Sequence, residues 1–551
     1  MAAVSQVLRV CGRLGAGNDA RVLRMAKLLG DGIEPLVENE FGIAFGSAAC
    51  RVRSTTSDDA PAGPAARQLV CWSTAPLPPE LPTEAGALAR EHDAESLTVD
   101  GESATLHSGI SGSHPVYVDI GDEHAHFSSS LDALVHSRDS RIAPDWDGWA
   151  QIIGGGAPVN GLTTFSGVQR LGPWSQVVAG TGKPPRVVMN EWPWLAVEPR
   201  SGASVDAVFE ALRAGIANLA DLGPITSLLS GGWDSRLLAA LACQATDAIS
   251  AWTTSSDTGH VLEQVVAAKV ADQLKIDHTI VPPRWDEFDV DLAHFAEAVD
   301  FQTSFHVWAA PLARRLRGTG GTIVDGLGGG IFVGGAFPDT GVPRHQRLTH
   351  YLEEAEAVLH PAAAAQVRER TWAALKSSVA QFADHPHGAT FTAYLTRTIP
   401  GISLSPFSMF ARAAPAAAPF LADDVVRSAL AIPPSDHARG RLYPILTAKV
   451  NPGLAQLPTA ADLAPAHREH PRRVSSTEAA TIVRTIVTGS PVRDLLAPGL
   501  ATADVQSWQR LLDRTRTQHL LRGLAVLALW LDRYAEALTN ADPAVFLEPT
   551  G

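Results

Sequence analysis

The sequence predicts an α/β chain: a mostly β first part, then a parallel sheet wrapped by helices, then a helical, alanine-rich end. Three observations carry this. Short apolar runs broken by Gly, Pro, Ser and Asp fill about residues 30 to 200; strand-like and helix-like segments alternate after residue 205; helical patterning dominates from about 345 onward. In the first part, Gly42–Phe45, Gln68–Trp72, Pro115–Ile120 and Gln176–Val178 read as strands between turns. Pro193 to Ser204, with Pro193, Pro199 and Gly202, reads as a linker. Val208, Leu212, Ile216 and Leu219 then fall at helical spacing and predict a helix over Val205–Ala220. After it come a strand at Ile225–Leu229, a helix at Arg236–Ala245, a strand at Ala248–Thr253 and a helix from about Val261 to Leu274. A strand at Thr279–Val281, a helix across Leu292–Ala298 and a strand at Thr322–Val324 complete the series. Single helices between strands imply parallel pairing through right-handed crossovers.

Composition narrows the function. The 551 residues allow about two to four domains. With 44 Lys+Arg against 58 Asp+Glu, the formal charge is −14, which disfavours generic binding to nucleic acid backbones. Cys11, Cys50, Cys71 and Cys243 lie far apart without metal or disulfide spacing, so they read as buried thiols of a reducing compartment. The N-terminus lacks the order of a secretory leader, and the apolar stretch Gly523–Leu531, fenced by Arg522 and Asp532, reads as a core helix and not a membrane span. A cytoplasmic chain with no membrane or nucleic acid partner is expected.

The chemistry-bearing stretch is Ile225 to Ala240, in which an apolar strand runs into Ser230-Gly231-Gly232-Trp233-Asp234-Ser235 and a helix follows at once. Two glycines permit a tight turn that brings bare N–H groups toward a ligand at the positive end of the next helix, a geometry that suits phosphate. Ser230 and Ser235 add hydroxyls, and Asp234 supplies a carboxylate for Mg²⁺. The plainer reading is a glycine-rich strand-to-helix turn with a capping aspartate. The loop is not a Walker A sequence; the nearest decoy, Gly180-Thr-Gly182-Lys183-Pro184, has Val177 in place of its first glycine and Pro184 in place of its hydroxyl residue. Gly109-Ile-Ser111-Gly112-Ser113 fails as a nucleophile elbow at its last position.

Ser230 to Ser235 resembles the S-G-G-x-D-S loop of the ATP pyrophosphatase superfamily, and its surroundings resemble the asparagine synthetase family, which includes β-lactam synthetases and lasso-peptide macrolactam cyclases. Thr163 to Pro173 is similar to the family's T-x-F-x-x-I-x-x-L-x-P run. Gly109–Tyr117 with Phe127–Leu134 resembles part of its glutaminase-type domain, and Glu263–Leu274 through His278 resembles its D-E-x-x-x-A helix. Ala418–Val426 resembles P-F-L-D-x-x-V-V, and Leu442–Leu446 with Leu457-Pro458 resembles the closing helix and loop. The resemblance implies a β-rich, glutaminase-like (Ntn-type) domain over 1–200 and an ATP-dependent ligase domain over 205–545. The reaction it implies is adenylation of a carboxylate with release of pyrophosphate, then attack by an amine. ATP would sit on Leu229, Ser230, Gly231, Gly232, Asp234, Ser235, Thr253 and Gly326.

Several positions depart from the family pattern. Ala2 stands where glutamine-dependent members carry their nucleophilic cysteine, and the internal Cys11 lacks the adjacent amino group. The first domain is therefore expected to be a scaffold, with an amine already on the substrate as nucleophile. Gly330 stands where the family's second metal carboxylate would be; Asp325, five residues earlier, is the substitute candidate, so the implied Mg²⁺ set is Asp234 with Asp325. Pro415, Ala417 and Ala422 replace other family positions, including a glutamate near the acyl centre. A cation for the adenylate is mechanistically needed. Lys449, Arg439, Arg441, Arg472 and Arg473 share the right region, and Lys449 is set beside Asp234 as the catalytic candidate. The expected function is peptide macrolactam or lactam formation, with a leader-peptide-binding or protease partner. A family member that binds nucleotide or peptide without turnover is the alternative, and glutamine-dependent asparagine synthesis the third.

Overall fold

The computed structural model describes residues 7–55, 67–335, 348–437, 440–464 and 470–548. Twelve strands build the first part: β1 (Val10–Leu14), β2 (Glu34–Asn39), β3 (Gly42–Gly46), β4 (Arg51–Thr55), β5 (Arg67–Trp72), β6 (Glu95–Val99), β7 (Ser103–His107), β8 (Tyr117–Ile120), β9 (Ala125–Ser128), β10 (Val168–Arg170), β11 (Ser175–Gly180) and β12 (Lys183–Met189). They form two six-stranded sheets, ordered β10-β8-β9-β1-β3-β2 and β12-β11-β7-β6-β5-β4, with antiparallel pairing throughout.

Strand alternation explains how the sheets stack. Val10 and Leu14 of β1 point into a core shared with Val70, Trp72, Leu97 and Leu106 of the other sheet, while Cys11 between them points outward to the helix Ala20–Leu29. Trp72 of β5 and Phe127 of β9 stack across the gap at 5.9 Å. Gly12 is required there: a Cβ on it would meet the Phe127 ring at 2.5 Å. The far face of the second sheet carries the helix Ala85–Glu91, so the layers run helix, sheet, sheet, helix.

The segment expected as a linker is packed. Trp192 and Trp194 are buried, and the Trp194 indole N–H donates to Asp423 at 2.8 Å. Two bulky aromatics outweigh the flanking Pro and Gly signals that suggested a loose tether.

The second part is a five-stranded parallel sheet: β13 (Ile225–Leu228), β14 (Ile249–Thr254), β15 (Asp277–Val281), β16 (Thr322–Val324) and β17 (Ala416–Ala417), in the order β15-β14-β13-β16-β17. Five of the predicted segments appear as helices: Val205–Leu222, Trp233–Ala245, Leu262–Leu274 and Phe288–Ala298 round the sheet, and Thr515–Arg533 at the end. Ile225 and Val324 face a core with Val208, Leu212 and Ile216, and Ile323 faces the opposite one, so both faces of the sheet are covered.

The helix Thr515–Arg533 is buried along most of its length against the helix Trp146–Gly155. Trp149 meets Trp530 at 5.1 Å, and a Cβ on Gly523 would come within 2.9 Å of the Ile153 backbone. A core helix is thus what Gly523–Leu531 forms, and among the described residues no helix is long and apolar enough to cross a membrane.

Candidate functional site

The chain leaves β13, returns through β14 and β15 on one side, and then crosses to β16 on the other. Ligands in open parallel sheets bind outside the carboxyl ends of the strands where the order reverses, here between β13 and β16. Two glycine-rich turns flank that crevice, Leu229–Gly232 after β13 and Asp325–Gly330 after β16.

Asp234, in the first turn of the helix that follows β13, lies beneath the second turn. A Cβ on Gly326 would meet the Asp234 Cβ at 2.8 Å, and one on Gly329 would meet Asp234 Oδ1 at 2.6 Å, so both positions require glycine. The Tyr443 hydroxyl donates to Asp234 Oδ1, and its ring stacks on Trp233 at 6.3 Å. Burial pushes the Asp234 carboxyl up to about 6; the Tyr443 bond and the Gly330 N–H oppose the rise, and the nearby Asp325 charge adds to it. Asp325 is itself pushed to about 6 by burial, against the Leu327 N–H that donates to its Oδ1 at 2.8 Å. The structure therefore brings Asp234, Asp325 and Gly326 together.

The amides of the first turn are occupied. The Ser230 N–H donates to Ser235 Oγ at 2.9 Å, the Gly232 N–H to Ser230 Oγ at 3.2 Å, and the Gly231 N–H to Glu263 Oε2 at 2.7 Å. The two serine hydroxyls bond each other at 2.9 Å. Gly231 is enclosed from the other side by Ala460, whose N–H donates to the Gly231 carbonyl and whose Cβ leaves no room for a side chain. Below, the Leu229 N–H donates to the Trp252 carbonyl, and the Thr253 hydroxyl holds the Leu229 carbonyl at 2.6 Å while facing His278 Nε2 at 2.8 Å. Arg236, buried under Trp233, donates to the carbonyls of Leu454, Leu457 and Pro458 and ties the late chain to the turn. None of the five principal cavities among the described residues is lined by Leu229 to Ser235.

Lys449 is placed elsewhere. It shares the helix Leu442–Val450 with Tyr443, but six positions along its side chain leaves on another face, pairing with Asp206 at 2.6 Å and lying over Phe209. The structure therefore places Lys449, a catalytic candidate of the sequence, on Asp206 and not on Asp234. Arg441 is exposed, Arg472 and Arg473 line a separate cavity, and Ala2 and Arg439 lie outside the described residues. The Cys11 thiol is pushed up to about 12 by burial, a poor state for a nucleophile.

Magnesium can be tested on the donor set. Among the described residues no group of three His, Cys, Asp or Glu side chains converges as a metal cage. Asp234 offers one carboxylate with an oxygen on the Gly330 side, and Mg²⁺ commonly takes one or two carboxylates together with phosphate oxygens and water. The residues fit an ion carried in on a nucleotide, with Asp234 as the protein's arm and Asp325 behind it. Such an ion supplies charge neutralisation at the phosphates.

Glu263 and Tyr443 were not singled out as site residues. Both lie in runs that resemble the family, Glu263 at the head of Glu263–Leu274 and Tyr443 within Leu442–Leu446, but nothing in either run marks the side chain as reaching the β13 turn. A family model described as asparagine synthase matches residues 208–449. No curated protein matches the chain.

Proposed function

We propose, from the match of residues 208–449 to the family model described as asparagine synthase, an ATP-using ligase family, that this chain is a carbon–nitrogen ligase that activates a substrate carboxylate. In this reading a carboxylate oxygen attacks the α-phosphorus of ATP, the bond to the β-phosphate bridge breaks, and pyrophosphate leaves. An amine nitrogen then attacks the acyl carbon, AMP departs, and the amine gives up its proton. The observation that carries the reading is Asp234 held in the β13/β16 crevice under glycines at 326 and 329 that leave its carboxylate room. Ala2, and a Cys11 thiol buried within β1, favour an amine supplied by the substrate itself, hence lactam or peptide macrolactam formation. The first 200 residues then act as a scaffold of glutaminase type, and a leader-peptide-binding or protease partner accompanies a peptide substrate.

A second reading, nucleotide or peptide binding without turnover, is favoured by one observation: the Gly231 amide is already bonded to the Glu263 carboxylate. ATP–pyrophosphate exchange with a panel of carboxylates separates the two. Exchange that disappears in Asp234→Ala supports the ligase; ATP binding with no exchange on any carboxylate supports the binder.

A further inference from the structure

Beyond the β13 turn, at the carboxyl end of β14, lies a cavity of about 190 Å³ that neither reading uses. Drug-sized pockets run to roughly 300–1,000 Å³, so only a small ligand fits. Its polar lining includes Ser256 and Asp257 in the loop after β14, Arg472 and Arg473, and Thr515 and Arg522 of the long buried helix. Leu292, Val307, Val474 and Ala525 add apolar lining, and Trp308 and Tyr351 supply flat surfaces.

The charges of this cavity are unevenly answered. Arg473 is committed to Asp291 at 2.5 Å, a carboxylate shared with Arg314. Arg472 donates to the Gln518 side chain at 2.7 Å and to Thr515 Oγ1 at 3.0 Å, and its charge also acts on Asp257. Arg522 is half-buried, with its Nε shielded from solvent, and the Asp257 carboxylate that acts on it is already bonded to the N–H groups of Arg473 and Val474 at 2.5 and 3.1 Å. Arg522 Nε and Ser256 Oγ have no hydrogen-bond partner among the described residues. A guanidinium N–H shielded from water is costly unless an acceptor meets it. An unbonded hydroxyl lining the same small cavity marks a second place where an acceptor or donor is missing.

We propose that this cavity is a binding site for a small organic carboxylate with a compact apolar body, its oxygens on Arg522 and Ser256 and its body on the Leu292, Val307 and Val474 side. Arginine pairs with a planar carboxylate through two parallel hydrogen bonds, which suits Arg522, and the apolar wall distinguishes such a ligand from a bare inorganic anion.

The test uses the full chain without ATP, titrated calorimetrically with phenylacetate, phenylacetamide and inorganic phosphate. Phenylacetate is expected to bind one per chain, and phenylacetamide at least tenfold more weakly. Arg522→Gln is expected to weaken phenylacetate at least tenfold, and Ser256→Ala by a smaller factor. Equal binding of the amide, equal binding of phosphate, or no effect of Arg522→Gln overturns the proposal. If Arg522→Gln does not fold, unchanged binding in Ser256→Ala overturns it. The same titration on Asp234→Ala is expected to match the unaltered chain, so loss of pyrophosphate exchange and loss of this site are told apart.

Discussion

Replacing Glu263 by alanine tests whether the β13 turn is an anion site held shut by the chain's own carboxylate. The Gly231 N–H to Glu263 Oε2 bond is 2.7 Å long, carries a charge on its acceptor, and sits where Ala460 shields it from one side. Such bonds contribute about 1.5–3 kcal/mol. A phosphate that takes the Gly231 amide must forfeit that bond in the unaltered chain and forfeits nothing in Glu263→Ala. At about 1.4 kcal/mol per tenfold, ATP affinity is expected to rise roughly 10- to 100-fold. Without ligand the buried Gly231 N–H is left unpaired, so the variant is expected to lose about 1–3 kcal/mol of stability and to regain it with ATP. Calorimetric titration with ATP at fixed ionic strength, paired with thermal unfolding, reads both effects. A folded variant that binds ATP no more tightly than the unaltered chain refutes the reasoning.

Other perturbations read neighbouring parts of the site. Asp234 and Asp325 are both raised to about 6 by burial, above the ordinary carboxylate value of about 3.8, so the native state holds protons that the unfolded chain releases. Stability is therefore greatest below about pH 4 for these groups and falls as pH rises through 6. Asp325→Asn, which keeps the acceptor for the Leu327 N–H, is expected to match the unaltered chain near pH 4 and to exceed it by about 1–3 kcal/mol at pH 7.5, measured by urea unfolding. Arg236→Met removes the donors of three carbonyls at Leu454, Leu457 and Pro458 and is expected to cost about 2–4 kcal/mol, with new proteolytic cleavage between 454 and 463. Lys449→Met, which cuts the pair with Asp206 and the cation contact with the Phe209 ring, is expected to leave pyrophosphate exchange unchanged; a loss above tenfold returns Lys449 to the reacting centre.

Much of the architecture can be read locally. The helix Val205–Leu222 follows from Val208, Leu212 and Ile216 on one face, and β13, β14, β15 and β16 follow from apolar runs between helices. The fifth strand, β17, cannot be found that way: Ala416 and Ala417 are two small residues whose pairing with Ile323 and Val324 arises only once β16 is in place. The packed Trp192–Trp194 segment escaped for the same reason, since its partner Asp423 is 229 residues away from Trp194. Within the site, Asp234, Ser230 and Ser235 stand out because a strand, two glycines and a helix are contiguous. Tyr443 and Ala460 reach the turn from more than 200 residues downstream, and no spacing in the chain announces them.

The occupied turn also bears on what the loop is for. A bend that merely joins a strand to a helix has no need of an anion: water or a hydroxyl satisfies its amides, as Ser230 and Ser235 do for two of them. Gly231 instead receives a carboxylate brought in by the helix after β14, at the positive end of the helix Trp233–Ala245, where negative charge is favoured. In the proposed ligase, Glu263 would stand where a phosphate oxygen binds, and the ligase and the silent binder would differ in how readily a nucleotide displaces it. Displacement also has to work against Ala460 and the Arg236 clamp, which hold the late chain against the turn. In the proposed ligase, ATP is therefore expected to change the hydrogen-exchange protection of the segment from Leu454 to Leu463 together with that of the Gly231 amide; a change at Gly231 alone refutes the coupling.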